Sequence, residues 1–105
     1  MHRTLIVARL QPEHTDQVAE AFHDSDHTEL PHLLGVAARS LFSFHDLYFH
    51  LIESDQDLRP ALAEHRTHPL FTEVSQRLAA HITAYDPGWR SPADAMAQEF
   101  YRWRR

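Results

Sequence analysis

The chain has 105 residues, enough for one domain with a modest hydrophobic core. Its 43% hydrophobic and 24% charged residues are ordinary for a globular protein and exclude a disordered or low-complexity chain. A net charge of -5 argues against a nucleic-acid partner, the absence of cysteine excludes disulfides and thiolate chemistry, and no apolar run is long enough to span a membrane, so we expect a cytoplasmic protein.

The first predicted elements are a strand and a helix. Residues 3–10 have an apolar centre and predict a mostly buried strand. Residues 13–24 carry apolar side chains at helical spacing, so one stripe of a helix should face a sheet. Residues 24–31 are rich in polar turn formers, and Pro31 disfavours helical geometry in the residue before it. This segment is therefore predicted to be a loop carrying several acidic side chains.

A β-hairpin is predicted next, from residues 36–44 and 47–53 with His45-Asp46 between them. A two-residue turn pairs Phe44 with Leu47 and Leu41 with His50, which assigns every side chain to a face. One face should pack against helices and carries Val36, Ala38, Phe42, Phe44, Phe49 and Leu51. The opposite face carries Arg39, Leu41, Ser43, Tyr48, His50 and Ile52.

The remainder of the chain predicts helices around one more strand. Asp57 is placed to cap a short helix that runs to Arg66, and His68-Pro69 opens another helix. Residues 81–85 form a candidate fourth strand, and a capping box at residues 91–94 predicts a last helix with Met96, Phe100 and Trp103 on one side. The order strand, helix, strand, strand, helix, strand predicts an α+β fold with a ferredoxin-like antiparallel sheet and helices on one face.

The second face of the hairpin is too apolar to be left bare and too polar for an ordinary core. It combines a cation, an imidazole and a phenol, a mixture that suits a small-molecule cavity. Two such sheets packed about a two-fold axis would enclose a cavity, which predicts a homodimer. In the simpler interpretation, Arg39 pairs with a carboxylate such as Asp26 or Glu53 and His50 belongs to the core. A three-residue turn would separate Arg39 from His50, because strand side chains alternate.

The sequence also resembles a known family at these positions. The motifs that carry the resemblance are Ser25-Asp26-x-Thr28-Glu29-Leu30-Pro31, Gly35-Val36-x-x-Arg39-x-Leu41-Phe42-x-Phe44-His45-x-Leu47-Tyr48-x-His50-Leu51-Ile52-Glu53, His68-Pro69-Leu70-Phe71 and Ala97-x-Glu99-Phe100-Tyr101-x-Trp103. Together they are similar to the polyketide cyclase family typified by tetracenomycin cyclase, over nearly all of residues 1–105. The first nine residues and Tyr85-Asp86-Pro87 resemble the spore-pigment branch of that family.

The resemblance implies a single polyketide-cyclase domain over residues 1–105 that forms a dimeric α/β barrel. It implies an intramolecular aldol condensation, dehydration and aromatisation of an intermediate from a type II polyketide synthase, with no metal, flavin or nicotinamide cofactor. The expected partners are a second copy of the chain, the small-molecule polyketide and, transiently, components of the synthase.

The resemblance also implies the site residues. The acid–base residues of the family correspond to Asp26, Arg39 and His50. We expect His50 to be the general base and Arg39 to hold enolate charge. Asp26 could orient His50, shuttle the proton or pair with Arg39. The substrate-binding residues are predicted to be Ser25, His32, Leu41, Ser43, Tyr48 and Ile52. The typical member of the family has a histidine where this chain has Ser25. A role for an essential histidine at that position is therefore in doubt for this chain.

The ten histidines also raise the hypothesis of a metal site. The pairs His23/His27 and His65/His68 have ligand-compatible spacing, but no tight motif such as H-E-x-x-H is present, and we predict no native metal site. Two other functions stay open at this point, a cofactor-free monooxygenase of the same barrel type and a non-catalytic module that shields the polyketide. The aromatic residues of the predicted last helix are either a substrate platform or part of a core or dimer contact.

Overall fold

Four strands form one antiparallel sheet in the computed structural model, which describes residues 1–105. The strands are β1 (His2–Leu10), β2 (Val36–Phe44), β3 (Leu47–Ser54) and β4 (Ile82–Thr83), and their order in the sheet is β2-β3-β1-β4. Strands β1 and β3 pair along eight positions at the centre, whereas β4 pairs only with the end of β1. The predicted α+β, ferredoxin-like architecture is confirmed.

Four helices accompany the sheet: α1 (Thr15–Asp26), α2 (Leu30–Leu34), α3 (Leu58–His65) and α4 (Pro69–Ala79). Asp57 and His68 cap α3 and α4 by accepting the backbone N–H of Arg59 and Leu70, respectively. The prediction of a loop over residues 24–31 is largely wrong, because α1 continues to Asp26 and α2 begins at Leu30. Pro31 lies in the first turn of α2, where its missing N–H breaks no helical hydrogen bond. None of these helices has the length and apolar character needed to cross a membrane.

The hairpin between β2 and β3 has the predicted register. Phe44 pairs with Leu47, Phe42 with Phe49, and Leu41 with His50. The two-residue turn places His45 at a positive φ of 55°, a conformation that histidine adopts more readily than most non-glycine residues. Because this register is fixed, Arg39 and His50 share one face of the sheet.

The prediction of which hairpin face packs against the helices was wrong. The face with Arg39 and His50 lies under the helices, where Tyr48, His50 and Ile52 are each no more than 5% exposed. The face predicted to pack against helices is the outer one, on which Phe42 and Phe44 are 56% and 63% exposed. A β-bulge between Val36 and Ala38 turns Val36 alone to the inner side.

The predicted last helix is also absent. The capping box at Ser91 and Asp94 forms, but it starts only a 3-10 turn over Pro92–Ala95. Met96 is extended and bridges Ile6, and the Ala97 N–H donates to the Leu5 carbonyl over 2.7 Å. Because β4 is so short, it leaves this edge of β1 unpaired, and the C-terminal segment satisfies that edge instead of forming a helix.

Candidate functional site

A cavity of about 310 Å³ lies between the inner face of the sheet and the helices. Most of its lining is apolar, which suits a largely hydrophobic ligand. Only five polar side chains reach it, and three of them come from the hairpin. These five are Ser25, Arg39, Tyr48, His50 and Ser75.

Arg39 is the centre of a charged constellation at the cavity wall. Its Nε donates to both carboxylate oxygens of Asp26, over 3.1 and 3.0 Å, and its Nη2 donates to Oδ1 over 2.8 Å. Its Nη1 lies 2.9 Å from Nε2 of His50. The Phe22 ring stacks beneath the guanidinium, with 4.7 Å from Cζ to the ring centroid. Asp26 and Phe22 on α1 therefore fix a cation that β2 presents to the cavity.

The contact with Arg39 determines the state of the His50 ring. A guanidinium can only donate, so Nε2 of His50 must accept and the ring proton must sit on Nδ1. Burial, with a smaller contribution from the Arg39 charge, lowers the pKa of His50 from 6.5 to about 3. The ring also contacts Phe22 edge-on at a centroid distance of 4.8 Å. In the free protein, His50 is thus a neutral imidazole with one nitrogen engaged by Arg39.

Tyr48 provides a second buried polar group near His50. Burial raises the pKa of its phenol, and the Arg39 charge offsets only part of that effect. The two rings are 6.0 Å apart between centroids. Tyr48 is therefore a neutral phenol at physiological pH and is able to donate a hydrogen bond.

The structure brings together all three residues that we predicted to be catalytic, and half of those predicted to bind substrate. Ser25, Tyr48 and Ile52 line the cavity. His32 is exposed on α2 and lies outside it. Leu41 and Ser43 share the inner face but line a separate depression near the N-terminal end of α1. These two lie outside the main cavity because β2 continues past its end.

Helix α4 supplies a wall that the sequence did not assign to the site. Its side chains Phe71, Val74, Ser75 and Leu78 line the cavity. No residue of α4 is fully buried, although its apolar residues keep a regular helical spacing. Such spacing predicts a helix with one apolar stripe but does not say what the stripe faces, and here part of it faces the cavity.

The histidines form pairs rather than clusters. The rings of His23 and His27 are 4.4 Å apart, and the Nδ1 atoms of His14 and His81 are 2.9 Å apart. No group of three or more His, Asp or Glu side chains is arranged to hold a metal ion. The predicted aromatic residues of the C-terminal segment do not line the main cavity, and Phe100, Tyr101 and Trp103 are 96%, 75% and 67% exposed.

A sheet and four helices that surround an apolar cavity with a partly buried Arg–His pair are the arrangement expected of a small-molecule site in a ferredoxin-like fold. Residues 2–104 match the family described as polyketide synthesis cyclase, and the chain belongs to that family. It is 46% identical to tetracenomycin F2 cyclase of Streptomyces glaucescens over 97% of this chain and 94% of the relative. It is also 46% identical to polyketide synthase CurG of Streptomyces cyaneus over 100% of this chain and 99% of the relative.

One solved structure agrees with this family assignment. The structure of tetracenomycin F2 cyclase, described as a type-II polyketide cyclase, superimposes with a TM-score of 0.94 at 45% identity and covers 100% of this chain and 99% of its own. An antibiotic biosynthesis monooxygenase gives a TM-score of 0.52 at 20% identity over 77% of this chain and 86% of its own. The second likeness extends to the fold alone.

Proposed function

We propose that residues 1–105 act as one domain that closes a ring in an aromatic polyketide intermediate, by intramolecular aldol condensation, dehydration and aromatisation. The observation that carries this proposal is the Arg39 guanidinium, only 15% exposed, held by Asp26 beside a neutral His50 in an apolar cavity. An apolar cavity strengthens the attraction between a fixed cation and a developing oxyanion. The likeness to tetracenomycin F2 cyclase supports the polyketide as substrate.

The reaction needs a base and a stabilised oxyanion. In the proposed first step, Nε2 of His50 takes a proton from a carbon flanked by two carbonyls, and an enolate forms. The enolate carbon attacks a second carbonyl carbon of the same chain, which forms the new C–C bond and an alkoxide. His50 returns its proton to the alkoxide oxygen, and loss of that hydroxyl with a neighbouring hydrogen as water leads to the aromatic ring.

The contact between Arg39 and His50 links the base to the oxyanion. Because Nη1 of Arg39 occupies Nε2 of His50 in the free protein, it must release that nitrogen before the nitrogen can take a proton. The enolate oxygen is the natural new acceptor for the same Nη1–H. Transfer of this hydrogen bond frees the His50 lone pair and stabilises the enolate charge at the same time, and that charge in turn favours imidazolium.

Asp26 acts on Arg39 rather than on His50. Of the three roles left open by the sequence, the geometry supports pairing with Arg39, since three donor–acceptor contacts join their side chains. We therefore propose Asp26 as a positioning residue. Asp26→Asn should lower kcat and spare most of the affinity for substrate, because a neutral amide holds the guanidinium less firmly.

The test is turnover by purified variants, followed by mass spectrometry of the cyclised product. His50→Gln should lower kcat by about two to four orders of magnitude, since it removes the general base. Arg39→Lys should recover only part of the activity lost in Arg39→Ala, because an ammonium lacks the planar donor geometry. His23→Gln is the matched control, as that imidazole is exposed on α1 outside the cavity.

Folded His50→Gln and Arg39→Ala proteins that cyclise at the normal rate would contradict the proposal and return both residues to a structural role. We further propose that no metal or organic cofactor takes part, so turnover should survive exhaustive chelation. Loss of activity on chelation, restored by one added metal, would refute that part.

We also propose that the chain works as a homodimer. The outer sheet face exposes Phe42 and Phe44 next to the half-buried Val7, Phe49 and Leu51, an apolar surface of the kind that interfaces cover. A second copy would cover it by packing sheet against sheet. Light scattering at micromolar concentration should give the dimer mass, and a Phe42→Glu, Phe44→Glu double variant should give a folded monomer. A monomeric native chain would refute this arrangement.

A further inference from the structure

A second cavity adjoins the main one at the end of α3. It has a volume of about 260 Å³ and lies between α3, the start of α4 and the 3-10 turn at Pro92–Ala95. Leu62, Phe71 and Pro92 line both cavities, so these side chains lie between them. A ligand longer than the main cavity could therefore extend past them into the second.

The charge of this second cavity differs from that of the main one. Two arginines, Arg59 and Arg66, line it, and no carboxylate does. The Arg59 guanidinium is paired with Asp57 over 2.7 Å, just as Arg39 in the main cavity is paired with Asp26. Arg66 makes no ion pair with any carboxylate of the chain. It is thus the one uncompensated guanidinium that lines either cavity.

We propose that Arg66 binds a carboxylate of the substrate, at the opposite end from the reacting carbonyls. This inference rests on the proposed function and adds an orientation to it. A polyketide released from its thioester ends in a carboxylate, and a guanidinium recognises that group through two parallel hydrogen bonds. Arg39 is less suited to this role, because Asp26 already occupies its Nε and Nη2 donors.

The orientation has a consequence for specificity. With the carboxylate at Arg66 and the enolate oxygen at Arg39, the length of chain between the two guanidiniums selects which carbon is deprotonated. Leu62 and Phe71, which lie between the two cavities, would contact the middle of the ligand. The separation of Arg66 from Arg39 would then fix the position of ring closure, counted from the carboxyl end of the substrate.

Calorimetric binding of two unreactive probes tests the proposal, 2-naphthoate and its neutral analogue 2-naphthamide. Neither has an acidic methylene, so the result does not depend on whether the chain is a cyclase. The native protein should bind the carboxylate about fivefold more tightly than the amide, as expected for one ion pair to the exposed Arg66. Arg66→Gln should abolish that preference without weakening binding of the amide, whereas Arg104→Gln, outside both cavities, should retain it.

An unchanged preference in Arg66→Gln would overturn the proposal, because the carboxylate would then bind elsewhere. Equal affinity of the native protein for the two probes, or no binding of either, would overturn it as well. An equal loss of both affinities in Arg66→Gln would indicate a structural role and has the same consequence. Failure of the native protein to cyclise a polyketide, with the probe preference intact, would instead count against the proposed reaction alone.

Discussion

His50 should make the stability of the fold depend on pH below about pH 7. Its pKa is about 3 in the folded protein, against 6.5 as its ordinary value in an unfolded chain. Between these two values the unfolded chain binds a proton that the folded protein does not, so the free energy of unfolding must fall as the pH falls. The contribution of His50 to the free energy of unfolding is constant above about pH 7. Below that pH it decreases, by about 1.4 kcal/mol per pH unit at the steepest. From pH 7 to 4.5 the loss comes to about 2.5 kcal/mol.

Urea denaturation of the native protein and of His50→Gln, measured at intervals from pH 7 to 4.5, isolates this contribution. Gln retains an acceptor for Arg39 but does not titrate, so the two stability curves should converge toward acid pH. Other titrating groups are common to both proteins and cancel in the difference. His23→Gln, which keeps His50, is the matched control and should retain this loss of stability at acid pH. Parallel curves for the native and His50→Gln proteins would refute the assignment of a buried, neutral imidazole.

Two further predictions concern the backbone. Gly35 ends α2 at a φ of 72° and a Cβ there would meet no atom within 4 Å, so Gly35→Ala should cost about 1–2 kcal/mol in urea denaturation through backbone strain alone. No measurable loss would contradict the left-handed conformation. Ala97→Pro removes the N–H that donates to the Leu5 carbonyl and should lower the free energy of unfolding by about 1 kcal/mol. Ala97→Ser keeps that N–H and should leave the stability unchanged. Equal stability of the two variants would show that the C-terminal segment does not pair with β1.

The hairpin was predictable because its register follows from a two-residue turn. Once Phe44 pairs with Leu47, alternation places Arg39 and His50 on the same face without any knowledge of the rest of the fold. The surroundings of each face were not predictable from the same pattern. Both faces carry large apolar side chains, and a sheet in an oligomer hides an apolar face whether or not helices cover it. The more apolar face was therefore assigned to the helices, and the structure shows the reverse.

The C-terminal segment shows a different limit of local sequence patterns. A capping box and apolar residues at helical spacing favour a helix after residue 91, and the capping box does form. The competing interaction is long-range, since the bridge joins Met96 to Ile6, 90 positions earlier in the sequence. Local propensities are worth only tenths of a kcal/mol per residue, so two strand-edge contacts are sufficient to overrule them.

The stripe of apolar side chains on α4 explains why the site could be only half predicted. A helix that faces a core and a helix that faces a ligand cavity need the same residues at the same spacing, so Phe71, Val74 and Leu78 indicate burial but not what fills the space beside them. The structure supports the second case for α4, because only 11 of 105 residues are buried and none of them lies on this helix. Part of the apolar interior is therefore cavity rather than packed protein. A ligand that occupies it completes the contacts that α4 lacks, so binding should stabilise the fold as well as orient the substrate.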